Sequence, residues 1–227
     1  MMQKDSVKSR MESGVSYTFN PGLRTVTASI VKAEILATLL LKAQKAGHGL
    51  TDSQEGLAER MIEASDNNAA SALWNEIGQG DGLAAGNRGF KLKHTVPGLG
   101  GAWGTTRTSA ADQLRLLTAI ASRKSPLTAD GRAYILRLMA RVEPSQRWGV
   151  SAAADDSDDV ALKNGWLPRA VDGGTWTVNS IGRVRGDDHD YLIAVISQGH
   201  PSMAAGIETV EHVTRLVARA LGRAAGN

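Results

Sequence analysis

Ser29 and Lys32 stand in the order Ser-x-x-Lys at the head of an apolar run that continues through Ile35 and Leu36. Three residues of α-helix turn the chain by about 300° and raise it by about 4.5 Å, so the two side chains share one face. A serine hydroxyl becomes a useful nucleophile when a neighbouring base takes its proton, and a partly desolvated lysine can be that base. At a helix start, exposed backbone N–H groups also favour negative charge on a developing oxyanion. Alone, the pattern equally describes a helix-capping serine beside a solvated lysine. Two more short runs carry chemistry: Ser65-Asp66-Asn67 and Lys163-Asn164-Gly165. The first offers a hydroxyl able to donate and accept at once. The second sets a cation beside a glycine that permits close backbone approach. Taken singly, these are a helix-capping cluster and an exposed strand lysine.

The elements around them give the runs a context. The Ser29 helix is expected to reach about Lys45 and stop at Gly47-His48-Gly49. Thr51 opens a second helix, with Gln54 in capping-box position and Leu57, Met61 and Ile62 on one side. Ser65-Asp66-Asn67 then joins it to a third helix, where Ala69, Leu73 and Ile77 are spaced for burial. Residues 78–104 read as loop. Thr108 or Ser109 caps the next helix and Thr128 another, and Pro144 closes the helical middle. Val160–Leu167, Trp176–Arg185 and Tyr191–Gln198 read as an antiparallel meander, with Lys163 on its first strand. Val15–Phe19 is the one N-terminal strand candidate. A long helix from near Pro201 to Gly222 carries Glu208 and Glu211 early and Arg215, Arg219 and Arg223 late, as its dipole favours. The expected fold class is α/β (α+β): an antiparallel sheet flanked by helices, with an inserted all-helical lobe. Residues 1–50 and 144–227 form the sheet domain in this reading, and 51–143 the insertion.

Composition narrows the function. With 42% apolar residues in 227, the chain can build a sizeable core. The absence of cysteine excludes disulfides, thiol catalysis and thiolate metal sites. The five histidines lack metal-ligand spacing, so neither metal nor other cofactor is expected. Asp155-Asp156-Ser157-Asp158-Asp159 lacks the glycine and bidentate glutamate of a calcium loop and reads as solvated. A net charge of +3 with scattered basic residues gives nucleic-acid binding little support. No apolar run reaches spanning length, so no membrane insertion is expected. The polar start, Met1 to Ser6, lacks the apolar core of a signal peptide. This implies a cytoplasmic protein if the chain is full length, and a secreted or cell-envelope one if an export segment was removed. Trp103, Trp148, Trp166 and Trp176 could wall a pocket or pack in the core; Arg147, Arg183 and Arg185 could pair a substrate carboxylate or be solvated.

The three motifs occur in one order, at a helix start, between two helices and on a strand. In this the chain resembles the class A β-lactamase and penicillin-binding serine-hydrolase superfamily, from about Thr27 to the terminal helix. Leu50 through Ala70 is similar to the family's helix–motif–helix segment, and Thr105-Thr106 to the end of its Ω-loop. The resemblance implies Ser29 as the acylated nucleophile and Lys32 as its direct or indirect proton acceptor. Ser65 would relay a proton to the leaving amine. Asn67 would bind the substrate's acyl-amide side chain, and Lys163 would depress Lys32 and attract a substrate carboxylate. The N–H groups of Ser29 and Trp166 would form the oxyanion hole, with Gly165 allowing close approach. The family's Thr or Ser in the third motif is Asn164 here, whose amide could still donate to a carboxylate. The N-terminal region has room for one strand where the family has a helix and two. No glutamate occurs from Ile77 through Val142, so the Ω-loop carboxylate that activates the deacylating water is missing. The implied partner is a small-molecule or peptide-like acyl substrate. The implied activity is acyl transfer or hydrolysis through an acyl-serine on an amide, β-lactam or ester. A penicillin-binding or peptidase-like protein that is acylated without turnover, and a non-catalytic binding protein on the same scaffold, remain as alternatives.

Overall fold

The computed structural model describes residues 5–11 and 16–225. Its main sheet holds five strands in the order β2-β1-β7-β6-β5: β1 (Asp5–Met11), β2 (Ser16–Phe19), β5 (Asp159–Arg169), β6 (Thr175–Arg185) and β7 (Asp190–His200). All four pairings are antiparallel, and β5, next to β6, is an edge strand. A short pair, β3 (Thr25–Val26) with β4 (Arg107–Thr108), lies outside it. The helices are α1 (Val31–Lys45), α2 (Asp52–Glu63), α3 (Asn67–Ile77), α4 (Gln79–Gly89), α5 (Ala110–Ala121), α6 (Ala129–Ala140) and α7 (Met203–Ala225).

Period-two alternation in the strands divides the core. On β7, Ala194 and Ile196 face the helices α1–α6, while Ile193 and Val195 face α7 with its Val210 and Val217. α1 is buried along nearly its whole length, as the central post of the helical side. Thr51 and Gln54 make the expected capping box, and Ser109 and Thr128 cap α5 and α6.

Two expectations are corrected. The N-terminus supplies two strands, not one. β1 lacks apolar alternation, and its pairing with β2 and β7 on either side makes it a strand. The Val15 end of the other candidate, and Met1 to Lys4, lie outside the described residues. Residues 79–89 form a helix, not loop, despite glycines that each cost about 1 kcal/mol against alanine. A Cβ at Gly86 would fall 2.2 Å from Thr38 Oγ1, and one at Gly89 2.8 Å from Leu41 Cδ2. The glycines let α4 lie directly on α1.

Glu34 of α1 is fully buried and neither of its oxygens accepts a hydrogen bond of good geometry. Burial, then Asp112, push its carboxyl up to about 8, weakly opposed by the amides of Gln113 and Asn87. As a neutral acid it can donate to Asn87 Oδ1 or Gln113 Oε1, both otherwise unpartnered. The folded state thus holds a proton that the unfolded chain loses above the ordinary value of 4.5. The resulting stability is complete below that value and is lost as pH rises through about 8. Glu34→Gln keeps the neutral form at every pH. Its denaturation midpoint is expected to hold level from about pH 4.5 to 8, where that of the parent falls, measured by urea unfolding across that range.

Candidate active site

Ser29 sits in a tight turn, Ala28–Ile30, that leads directly into α1, with Ala28 in the left-handed region at φ +47°. Three contacts fix this turn. Thr27 N donates to Thr106 O at 2.7 Å. Asn179 on β6 donates through Nδ2 to Val26 O at 2.9 Å and Thr27 O at 3.0 Å, while its Oδ1 accepts from Ser197 N. Gly165 on β5 abuts the turn so closely that a Cβ there would lie 2.6 Å from Ser29 N. Any side chain at 165 would push the edge strand off the serine. The Ser29 side chain is half-buried at the surface of this junction.

Ser65 occupies the joint between α2 and α3 with φ +56°, an uncommon left-handed conformation for a serine. Asp66 fixes the joint as the N-cap of α3, its Oδ1 accepting from Asn68 N and Ala69 N. The Ser65 hydroxyl therefore lies between two amines, 3.0 Å from Lys32 Nζ and 3.0 Å from Lys163 Nζ. Lys32 Nζ also donates to Ser65 O at 2.6 Å and to Asn67 Oδ1 at 2.8 Å. Lys163 Nζ further reaches Gln146 Oε1 at 3.4 Å and Asn164 O at 3.3 Å.

Both lysine residues are buried, and burial disfavours their charged forms. Lys32 is lowered to about 8 by desolvation, against the opposing charge of Asp66. Lys163 is held well below its ordinary value by burial, then by the charge of Lys32. Two amines on one hydroxyl, both tuned toward the neutral form, make a path along which a proton can move.

Of the residues singled out in the sequence, Lys32, Ser65, Asn67 and Lys163 form one hydrogen-bonded cluster, with Ser29 one helical turn from Lys32 and Gly165 against Ser29. Trp166 is half-buried and packs on Trp148, ring centroids 5.8 Å apart. Asn164 departs from expectation. Its side chain is buried, and its amide donates to Gln146 O at 2.7 Å and Trp148 O at 3.0 Å. Strand alternation puts it on the face opposite Lys163 and Gly165, so its amide braces the 146–148 segment instead of awaiting a carboxylate. Arg183 pairs with Asp190, and Arg147 donates to Ala140 O.

Three further residues of the site were not singled out or not placed. Asn179 and Gln146 have no local sequence signal. Trp103 lies in a turn of the 95–105 segment, its ring over Lys32 Nζ at 4.9 Å and its Nε1 donating to Ser71 Oγ at 3.1 Å. Trp74 Nε1 donates to Gly100 O, tying the same segment to α3. Asp112 is committed elsewhere, accepting from Lys93 N, His94 N, Thr95 Oγ1 and Arg115. Asp81 lies in the first turn of α4. Among the described residues no group of His, Asp or Glu is arranged to hold a metal, and no helix is long and apolar enough to cross a membrane.

Comparison with known proteins agrees with this architecture. Solved structures of similar fold include PBP-A, one of them an acyl-enzyme complex with penicillin G (TM-score 0.82, 20% identity, covering 96% of this chain and 90% of that one). The TLA-1 extended-spectrum β-lactamase is also similar (TM-score 0.84, 17% identity, 96% and 92% covered). So is a β-lactamase from Streptosporangium roseum (TM-score 0.80, 20% identity, 96% and 93% covered). Among curated sequences, the protein named LppW of Mycobacterium tuberculosis is 27% identical over 195 residues, 83% of this chain. The chain spans 61% of the length of that relative. The family model described as the β-lactamase enzyme family matches residues 44–221, and with the matching fold this shows that the chain belongs to the β-lactamase enzyme family.

Proposed function

We propose that this protein is a serine acyl-transfer enzyme that works through an acyl-Ser29 intermediate on an amide, β-lactam or ester. The observation that carries the proposal is the Ser65 hydroxyl held at 3.0 Å from both Lys32 and Lys163, one helical turn from Ser29. In acylation, neutral Lys32 takes the proton of Ser29 Oγ as that oxygen attacks the substrate carbonyl carbon. Charge on the carbonyl oxygen is met by the N–H groups of Ser29 and Trp166. The proton passes from Lys32 through the Ser65 hydroxyl to the leaving nitrogen or oxygen as its bond to carbon breaks. Lys163, held toward its neutral form by burial and by the charge of Lys32, completes the relay at the Ser65 hydroxyl. Asn67 binds the substrate's acyl-amide side chain.

A second reading, a penicillin-binding-type protein that is acylated and not turned over, is favoured by one feature: the 95–105 segment covers Lys32 with the Trp103 indole and supplies no glutamate.

The experiment is to incubate the protein with a penicillin and a panel of esters and weigh it intact. One acyl group is expected on the peptide containing Ser29, and none on Ser29→Ala. An unmodified parent across the panel, or labelling that survives in the variant, refutes the proposal.

A further inference from the structure

Lysine and arginine residues scattered from residue 91 to residue 185 meet on one face of the folded chain. None of Ser29, Lys32, Ser65 or Lys163 lines it. A cavity of about 710 Å³ opens between the end of α4 and α5; Lys91, Lys93, Arg115 and Lys124 line it and, among the described residues, no carboxylate does. A second, of about 730 Å³, shares Thr118 and Lys124 with the first. It adds Arg123, Arg132, Arg183 and Arg185 against, among the described residues, one carboxylate, Asp190. Asp190 is paired with Arg183, and Asp112 with Arg115 from behind the wall. Lys91, Lys93, Arg123, Lys124 and Arg185 are exposed. The chain as a whole has 26 basic and 23 acidic residues, so this excess comes from the fold, which places acidic side chains elsewhere.

We propose that the joined cavities form a groove that binds a linear, phosphate-bearing polyanion by charge. Each cavity exceeds the size of one phosphate, and the shared Lys124 makes them consecutive stations for a chain of them. Guanidinium forks and ammonium groups together suit phosphate oxygens, the fork pairing two at once. Among the described residues the one aromatic side chain lining the groove, Phe90, is buried, so they offer no platform on which bases could stack. The ligand is read as a string of charges, not as a base sequence. This site is independent of the acyl-Ser29 reading.

The test uses the full chain and long-chain inorganic polyphosphate in titration calorimetry. Binding is expected at about 50 mM salt and should weaken by about tenfold or more at about 200 mM as condensed counterions cease to be released. Lys91→Glu combined with Lys93→Glu and Lys124→Glu should weaken binding at low salt by at least about tenfold, because each turns an attraction for phosphate into a repulsion. Arg123→Glu with Arg185→Glu, on the other cavity, provides a second variant of exposed residues. Acylation of Ser29 should be unchanged in both. No binding at low salt, or both variants binding as tightly as the parent, overturns the proposal. Sedimentation with phosphatidylglycerol vesicles without polyphosphate binding overturns it in favour of a lipid headgroup. Much tighter binding of an oligonucleotide of matched charge overturns it in favour of base recognition.

Discussion

Replacing Lys32 with methionine is expected to slow acylation of Ser29 by about 10²–10⁴-fold, the usual worth of a general base. Methionine fills much of the same buried volume and cannot accept a proton, so the loss reads the base and not the packing. The pH profile of the parent separates this role from a structural one. An ammonium cannot take a proton from Ser29; the active form is the neutral amine. With Lys32 lowered to about 8, the acylation rate should rise about tenfold per pH unit below that value and level off above it. The measurement is the rate of covalent labelling, by intact mass, from pH 5 to 9.5. A rate that falls as pH rises through this range would mean the ammonium is the working form. A Lys32→Met rate within a few-fold of the parent would remove Lys32 as the base.

Once formed, the acyl-enzyme is expected to persist. Deacylation needs a water on the acyl carbon and a base within one hydrogen bond of it. Without that base the step slows by about 10²–10⁴-fold. The segment that could supply a carboxylate runs without one, and its Trp103 indole lies over Lys32 Nζ, where a tryptophan face favours the charged amine and keeps water off it. Penicillin should therefore give one equivalent of product or adduct and then stop. Trp103→Ala should shorten the life of the adduct and move the pH midpoint of acylation upward, since water reaching Lys32 relieves the desolvation that holds it low, an effect larger than the lost ring contact. Trp103→Phe, which keeps a ring face, should stay near the parent in both. The time course after removal of excess penicillin measures the first effect, and rapid multiple turnover by the parent would contradict the prediction.

What the sequence disclosed follows the range of the forces involved. The α2 capping box and the caps of α5 and α6 are local, three-residue signals, and each reads directly. The meander reads from alternation and from its turn residues. α4 does not, because its glycines argue against a helix locally and are explained by Thr38 and Leu41 on another helix. β1 does not, because its neighbours in the sheet make it a strand. Lys32, Ser65 and Lys163 were legible by type and order. Asn179 was not, since it holds carbonyls more than 150 residues away in the chain. For Asn164 the signal was present and pointed the other way: alternation along β5 sets it on the face opposite Lys163, where its amide is spent on Gln146 O and Trp148 O.

The sheet order also dictates when the molecule can finish folding. β1 joins its parent sheet through β7, with Ser6 opposite Ile196 and Arg10 opposite Leu192. On a ribosome, where domains are built from the N-terminus, the β1–β2 hairpin emerges first and waits for nearly the whole chain before its partner exists. The helices α1 to α6 can meanwhile collapse around α1 through contacts of shorter range. Ser65 is thus in place early, whereas the Ser29 turn waits for Asn179 and Gly165, which arrive with Lys163 on the late strands. A truncated product would carry Ser29 and Ser65 without Lys163, and an unpaired strand edge open to other chains.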